Sequence, residues 1–508
     1  GLHVTGASLP GVLGVMIGHN DQIAWGVTLS FTDCEDLFIE KVNPRNQLQY
    51  EYLGKTQDME VVSESINIKG KKPHIEKVRN TVHGPIISEV IDTTDQVLSY
   101  CSMALRPNKI VDGFLKINKA GNWGEFKNAL KLLTSPPLNI SYADKQGNIG
   151  LHLAGDIPIR KTGDGQLPVA GWNGNYDWID KIPFEQIPNC FNPESGYIIS
   201  TNNKPAGDDY PYYLGNSFMN GYRAKRIKDT FLDSTKINFE ICKQLHLDLY
   251  SIPGLKMVEG FKGFRTARPK VEKALEPLIK WNGILDKDTV GGTVYEVLLL
   301  TMLRNLVEPD LGKELTAKWL GVGEHPLLLP SSELLGNATV CLFDILENPS
   351  SLWIQSDKHA LKLMELSLEE TCSWLEENLG FETDKWTWGK IHKVTFNHAL
   401  GLKKPLGKIF NKGPYAIGGD TDTVCQTAYN PQAPYEATSW CPSLRLIIDL
   451  SDFDKTEVML PPGQSGVLGS QHYDDLTNMW LEGGYVKLLW DREKVEKAAL
   501  NKITFNSE

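Results

Sequence analysis

Strand-type patterns at both ends of the chain enclose a helical middle, and this order limits the folds open to it. Turn residues such as Gly147-Asn148 and Gly163-Asp164-Gly165 cut residues 1–223 into short pieces, several of which alternate apolar and polar side chains. Residues 224–380 instead repeat apolar side chains at helical spacing, and strand patterns return over 381–508. The order predicts an α+β fold: a strand-rich core over the two end ranges and a mainly helical insertion between them.

Individual elements follow from the same periodicities. Helical spacing is clearest over residues 123–133, 271–281, 294–307 and 358–379, and Gly380 is typical of a helix C-terminus. Residues 48–50 and 66–68 alternate as half-buried strands do, and the apolar run over 444–450 predicts a buried strand.

Charge and hydropathy exclude two classes of partner. The 508 residues carry a formal net charge of −11 at pH 7, whereas a nucleic-acid-binding surface needs a basic patch. The apolar run around residues 297–300 is far shorter than a membrane span. We therefore expect neither nucleic-acid binding nor a membrane-spanning helix.

The eight cysteines are scattered, and no Cys-x-x-Cys pair occurs. A zinc site or a thioredoxin-type motif is therefore not expected. Most of these cysteines should be small apolar core residues, with one or two disulfides left open as an alternative.

Three separate segments carry the strongest functional pattern. The first runs from Gly18-His19-Asn20 to Trp25-Gly26-Val27-Thr28, the second covers residues 139–150, and the third covers 195–205 and is followed by Gly221-Tyr222-Arg223. In this order they resemble the β-subunit of the penicillin acylase family of N-terminal-nucleophile (Ntn) hydrolases. Further matches are Thr81-Val82-His83-Gly84-Pro85, Trp386-Thr387-Trp388-Gly389-Lys390, Gly418-Gly419-Asp420 and the stretch 461–466.

The resemblance implies a fold and a reaction. The fold would be a four-layer α/β/β/α sandwich, and the reaction would be hydrolysis of a linear amide, such as a penicillin, through an acyl-enzyme. A serine at a newly exposed N-terminus would attack, with its own α-amine as the base. That serine would precede Gly1, so we expect this chain to be inactive alone and to pack against an α-chain from the same precursor. The family also implies a periplasmic or secreted protein.

The resemblance also assigns roles to single residues. The backbone N–H of Leu29 and the side-chain amide of Asn202 would form the oxyanion hole, with Arg223 beside Asn202. Five apolar residues match the acyl-binding site of the family, although apolar residues are equally typical of a core: Met16, Ile17, Val27, Phe114 and Leu138.

A short acidic segment after Leu29 has two readings. Asp33, Glu35 and Asp36 suit a solvated turn, and in the family this position supplies calcium ligands. Calcium prefers six to eight oxygens, so other groups would have to complete the shell. The family's further aspartate aligns near Leu214, which has no side-chain ligand. Structural calcium with an altered shell is the one cofactor expected.

Three alternatives stay open. The chain could belong to an N-acyl-homoserine-lactone acylase, to a non-catalytic paralogue that binds amides or calcium, or to a carbohydrate-binding module suggested by its thirteen tryptophans. His19, His83 and His472 are expected to have structural roles, because the terminal amine already provides the base. The stretch Gly463-Gln464-Ser465-Gly466 is expected to be a turn rather than a nucleophile elbow.

Overall fold

The computed structural model describes residues 2–91, 95–320, 333–348, 350–431, 435 and 440–504. The chain divides into two compact units, Gly1–Phe218 and Met219–Glu508. Gly1, the residue that the predicted serine would precede, lies outside the described residues. The three predicted ranges with boundaries at 223 and 380 stay a prediction.

The first unit is built mainly from strands. Its strands are β1 (Val4–Ala7), β2 (Ile17–Asn20), β3 (Ile23–Leu29), β4 (Glu35–Glu40), β5 (Val42–Asn43), β6 (Asn46–Tyr52), β7 (Lys55–Asp58), β8 (Glu60–Ile66), β9 (His74–Thr81), β10 (Gly84–Pro85), β11 (Val97–Ser102), β12 (Leu138–Asp144), β13 (Ile149–Ala154), β14 (Pro158–Arg160), β15 (Val169–Ala170), β16 (Trp178–Lys181) and β17 (Asn189–Phe191). Its helices are α1 (Ser88–Ile91), α2 (Ile110–Ile117) and α3 (Trp123–Leu130).

The largest sheet of this unit has the order β1-β2-β3-β12-β13-β17, and all its neighbours are antiparallel. The register of β3 on β12 sets Leu29 opposite Leu138. Smaller sheets have the orders β10-β9-β8, β11-β4-β15, β5-β6-β7 and β14-β16, with β15 parallel to β4. The antiparallel hairpins explain the dense turn signals of this region.

One apolar cluster joins the large sheet to α2 and α3. Ile23 and Ile140 from the sheet are fully buried in it, together with Phe126 from α3. Each such burial removes enough apolar surface from water to contribute about 1.5–3 kcal/mol. The helix predicted over 123–133 is confirmed as α3, and Asn122 caps it by accepting the N–H of Glu125 over 3.0 Å.

The predictions for two half-buried strands had different outcomes. Residues 48–50 lie in β6, so the predicted strand is confirmed, although of the two apolar residues on the same face Tyr50 is buried and Leu48 is exposed. Every residue of β8 is exposed, including Ile66, and Ile68 beyond it is also exposed. The half-buried strand predicted over 66–68 is therefore wrong, because β8 pairs along its edge with β9 while the side chains on both of its faces meet solvent.

The second unit is mainly helical. Its helices are α4 (Tyr222–Asp233), α5 (Phe239–His246), α6 (Ile252–Phe261), α7 (Pro269–Ile279), α8 (Gly291–Trp319), α9 (Glu333–Glu347), α10 (Asp357–Leu379), α11 (Trp388–Ile391), α12 (Gly407–Phe410), α13 (Thr477–Leu481) and α14 (Arg492–Ala498). Its strands are β18 (Lys393–Phe396), β19 (Lys412–Ala416), β20 (Arg445–Ile447), β21 (Glu457–Met459) and β22 (Val486–Lys487). Short 3-10 helices of the chain lie at Met103–Leu105, Phe184–Gln186, Thr383–Lys385, Ala399–Leu402 and Phe453–Lys455.

Helix α8 forms the centre of this unit, and α7 and α10 pack on it. The helices predicted over 271–281, 294–307 and 358–379 are confirmed as α7, α8 and α10. Gly380 ends α10 with φ 91°, a left-handed conformation that favours glycine. The predicted strand over 444–450 is shorter, since β20 covers only Arg445–Ile447. Strands with a helical region between them confirm the α+β class.

Two expectations from composition can also be compared with the structure. Among the residues described, no helix has both the length and the hydropathy needed to cross a bilayer. All eight cysteines lie in the described ranges and are free thiols. Cys372 and Cys425 are buried and the other six are partly exposed, so the expectation of mostly buried cysteines holds for two of them.

Candidate active site

The β2–β3 hairpin is held by the side chain of Asn20. Its Oδ1 accepts the N–H groups of Gln22 and Ile23 over 2.8 and 2.9 Å. Its Nδ2 donates to the carbonyls of Asn118 and Ala120 over 3.1 and 2.8 Å. Because a buried amide costs free energy unless it is hydrogen-bonded, these four bonds explain why the turn needs this residue type.

Strand β3 runs from the core to the surface. Ile23 is fully buried and Trp25 is 3% exposed, whereas Leu29 at the other end is 48% exposed. The indole N–H of Trp25 donates to the carbonyl of Met16 over 3.0 Å, which fixes the buried part. A rigid strand therefore presents Leu29 at an accessible position.

The loop 195–205 contacts the exposed end of β3 at two points. The side-chain amide of Asn202 donates to the carbonyl of Leu29 over 2.9 Å. The hydroxyls of Thr28 and Ser200 lie 2.6 Å apart. Asn202 has φ 65°, in the left-handed region that asparagine tolerates better than most residues. The loop thus aims one asparagine at the strand end.

The structure brings Leu29 and Asn202 together, and the contact involves the Leu29 carbonyl. The oxyanion hole formed by the Leu29 N–H and the Asn202 amide stays a prediction. Arg223 belongs to the second unit, near the start of α4, so its predicted place beside Asn202 also stays a prediction. Burial lowers the pKa of the Arg223 guanidinium to about 10, although the Asp422 carboxylate acts in the opposite direction.

Four of the five predicted acyl-binding residues share one apolar cluster. Phe114 and Leu138 are buried members of it, and Met16 and Val27 pack against it. Ile17 is partly exposed in β2 and is not a member. Burial in a cluster is what a core role also predicts, so acyl binding stays a prediction.

The three acidic residues after Leu29 have separate partners. Asp33 and Asp36 both pair with Arg160, while Glu35 accepts hydrogen bonds from Tyr100 and Ser102. Across the described residues, no group of three or more His, Cys, Asp or Glu side chains could hold a metal ion. Calcium binding stays a prediction.

His83 forms a charged network that the sequence did not reveal. Its Nδ1 lies 2.8 Å from Glu40, its Nε2 lies 3.2 Å from Asp177, and its ring stacks on Phe38 at 3.9 Å. Burial would lower the pKa of His83, but bonding to the two carboxylates raises it above its ordinary value. The hydroxyl of Thr81, two residues before His83 in the same motif, also donates to Glu40 over 2.7 Å.

The other two motif histidines differ from His83. His19 is buried, and burial is the main cause that lowers its pKa. His472 is exposed and lies 2.8 Å from Asp475. The structural roles predicted for the three histidines agree with these surroundings and stay a prediction.

The second unit contains a buried acidic cluster that the sequence patterns did not predict. Glu296 of α8, Asp420 and Asp422 are each less than 5% exposed, and Asn220 donates to Asp422 over 2.6 Å. Burial, together with the charge of Asp420, raises the pKa of Glu296 well above its usual range and that of Asp422 to about 8. The motif Gly418-Gly419-Asp420 marked one member, but Glu296 lies within an apolar helical run that gave no signal.

The sequence profile of the penicillin amidase family matches residues 1–497. The chain belongs to this family. The carbohydrate-binding alternative is thereby set aside, and the resemblance inferred from the motifs is confirmed.

Curated relatives of this chain carry two kinds of name. An acyl-homoserine lactone acylase QuiP of Pseudomonas aeruginosa is 28% identical, with 98% of this chain and 63% of the relative covered. A penicillin acylase 2 proenzyme of Pseudomonas sp. strain SE83 is 27% identical, with the same coverage. The chain therefore spans about three fifths of the length of these relatives.

A solved structure supports the fold of the family. The thermostable penicillin G acylase from Alcaligenes faecalis matches with a TM-score of 0.76, at 20% identity, over 99% of this chain and 92% of that chain. This likeness confirms the α+β Ntn-hydrolase fold. It carries no information on substrate.

Proposed function

We propose that the protein containing this chain is an amidohydrolase that cleaves a linear N-acyl amide through an acyl-enzyme. The observation that carries the proposal is the contact between the Asn202 amide and Leu29, at the exposed end of a strand whose first three residues are buried. Membership of the penicillin amidase family supports it.

In the proposed reaction a serine hydroxyl attacks the amide carbonyl while its α-amine accepts the hydroxyl proton. The Leu29 N–H and the Asn202 amide stabilise the resulting oxyanion, and each such donor is worth about 2.7–4 kcal/mol of the barrier. Collapse of the tetrahedral intermediate breaks the carbon–nitrogen bond, and the α-amine passes the proton that it accepted to the leaving amine. Water then attacks the acyl-enzyme and releases the carboxylic acid. Arg223 is proposed to orient Asn202.

The attacking serine and the α-chain are proposed to come from the part of the precursor that this chain does not span. The coverage of the relatives supports this, and one relative is named a proenzyme. On this proposal the chain alone is inactive, and the precursor cleaves itself to expose the serine. A periplasmic or secreted location is proposed from family resemblance.

Two substrate classes follow from the names of the relatives. The first is a penicillin or a related acyl amide, as the penicillin acylase 2 proenzyme suggests, and the second is an N-acyl-homoserine lactone, as the QuiP relatives suggest. Both would place an apolar acyl group against Met16, Ile17, Val27, Phe114 and Leu138. The two substrate classes differ in the leaving amine.

Release of free amine by the full-length protein tests the proposal. We expect turnover of N-acyl-homoserine lactones or phenylacetyl amides, and the ratio of their kcat/KM values assigns the class. Replacement of the new N-terminal serine by alanine should abolish both activities. A full-length protein with no Ser, Thr or Cys at a processed N-terminus, and no turnover of either amide, would instead be the non-catalytic paralogue.

A further inference from the structure

A buried arginine occupies the acidic segment that follows the candidate oxyanion strand. Arg160 ends β14, and its Nε lies 2.9 and 3.1 Å from the two carboxylate oxygens of Asp36, while its Nη2 lies 2.7 Å from one of them. Trp178 of the paired strand β16 also donates to Asp36, over 2.5 Å. The Asp36 side chain is 2% exposed, so its carboxylate is hydrogen-bonded by the guanidinium of Arg160 instead of by water.

The guanidinium of Arg160 also forms an ion pair with a second carboxylate. Its Nη2 lies 3.2 Å from Asp33, and the Arg160 side chain is only 4% exposed. The guanidinium carbon lies 5.9 Å from the ring centroid of Trp178 and 5.6 Å from that of Tyr213, close enough for both π faces to stabilise the cation. Burial would lower the pKa of Arg160, but Asp36 and Asp33 raise it.

These surroundings do not fit a calcium ion. Calcium needs six to eight oxygens, yet both oxygens of Asp36 already accept N–H donors. The Glu35 carboxylate is bonded to Tyr100 and Ser102. At the position where the family resemblance expects a further aspartate, Leu214 is buried in an apolar cluster. A divalent ion shared by Asp33 and Asp36 would also lie against a fixed guanidinium, and like charges repel.

We propose that Arg160 takes the place of a bound cation in this chain. Its single positive charge is shared by Asp33 and Asp36 and offsets one of their two negative charges, and its planar fork fixes the segment that leads from Leu29 into β4. The segment then keeps its conformation without calcium. The proposal does not depend on the reaction, so it stands or falls separately from the amidohydrolase assignment.

Calcium binding and thermal unfolding of the full-length protein test the proposal. After treatment with EDTA, we expect the thermal midpoint of the wild type to be the same with and without millimolar CaCl2. Equilibrium dialysis with CaCl2 should show no saturable binding that Asp33→Asn removes. Saturable calcium binding that is lost in Asp33→Asn would overturn the proposal, whereas binding retained in that variant lies at another place and supports it.

Removal of the Arg160 guanidinium provides a second test of the proposal. Arg160→Gln leaves Asp33 and Asp36 without their cation, so its thermal midpoint should fall below that of the wild type and should rise again in CaCl2. Arg106→Gln is the matched control, because Arg106 is exposed and approaches the same Trp178 ring at 5.5 Å. An Arg160→Gln protein as stable as this control would refute the role of Arg160. If Arg160→Gln does not fold, the wild-type dialysis decides alone.

Discussion

The side-chain amide of Asn202 donates a hydrogen bond to the main-chain carbonyl of Leu29, 173 residues away in sequence and 2.9 Å away in space. In the full-length protein we expect Asn202→Ala to lower kcat about 10²–10³-fold, because the proposed oxyanion hole loses a preorganised donor. KM should change much less. Steady-state kinetics with the better of the two amide classes measures the effect.

The control for this substitution is Asn216→Ala, at an exposed position of the same unit. It should leave kcat unchanged. Wild-type kcat in a folded Asn202→Ala enzyme would place the oxyanion donors elsewhere.

Asn20 is expected to matter for folding rather than for chemistry. Asn20→Ala removes four hydrogen bonds and leaves buried backbone groups without partners, which should lower the free energy of unfolding by about 2–3 kcal/mol. Urea-induced unfolding measures the loss. Asn46→Ala, at the exposed start of β6, removes a side chain that accepts the N–H of Leu48 and should cost far less. Equal losses would show that the Asn20 side chain has no special role.

His83 should make the stability of the first unit depend on pH. Its folded pKa lies above the unfolded value of about 6.5, so its contribution is complete below pH 6.5 and is lost as the pH rises through the folded pKa. His83→Ala should cost about 3–5 kcal/mol below pH 6.5, because Glu40 would stay buried without a cation. Chemical unfolding at several pH values measures both effects. His74→Ala, which removes an exposed pair with Glu76, should have little effect at any pH.

The second unit should lose stability as the pH rises for a different reason. The folded pKa of Glu296 is raised, so the native state binds more protons than the unfolded chain above about pH 4.3. Stability then falls by about 1.4 kcal/mol per pH unit for each extra proton bound. Glu296→Gln removes that titration and should flatten the pH dependence of unfolding.

Glu314→Gln is the control, at an exposed position in the helical segment that follows the break at Gly312, and it should leave the slope unchanged. A slope that is identical in wild type and Glu296→Gln would mean that Glu296 is ionised in the native state.

Sequence periodicity predicted those parts of the fold in which burial follows a regular spacing. The periodicity predicts α7 and α10 close to their observed bounds because their apolar faces repeat over several turns, whereas α8 continues to Trp319, well beyond the predicted end at residue 307. The half-buried strand predicted over 66–68 is wrong, since only Ile66 lies in β8 and alternation does not reveal whether another element covers the face of a strand. The pairing of β8 with β9 is local, whereas coverage is a tertiary property.

The candidate site likewise has parts that local sequence predicts and parts that depend on tertiary structure. The motif segments predicted which chain regions matter, and the meeting of Leu29 with Asn202 followed from family resemblance. The partners of His83 could not be predicted, because Glu40 and Asp177 lie 43 and 94 residues away and carry no local pattern. The same holds for Arg160 and Asp36, separated by 124 residues. Charged pairs that form between distant strands depend on sheet order, which periodicity does not encode.

Strand β3 is supported unequally along its two edges. Its inner end is fixed by Asn20 and the buried Trp25 and pairs with both β2 and β12, while its outer end at Leu29 has only β12 as a strand neighbour. Gly26 lies between them, and no atom stands within 4 Å of the position that a Cβ would take there. A displacement of Leu29 would therefore be resisted by β12 along one edge and, along the other edge, by the loop that is bonded to Thr28 and Leu29. Any adjustment to ligands of different size should be confined to this outer section and to the loop bonded to it.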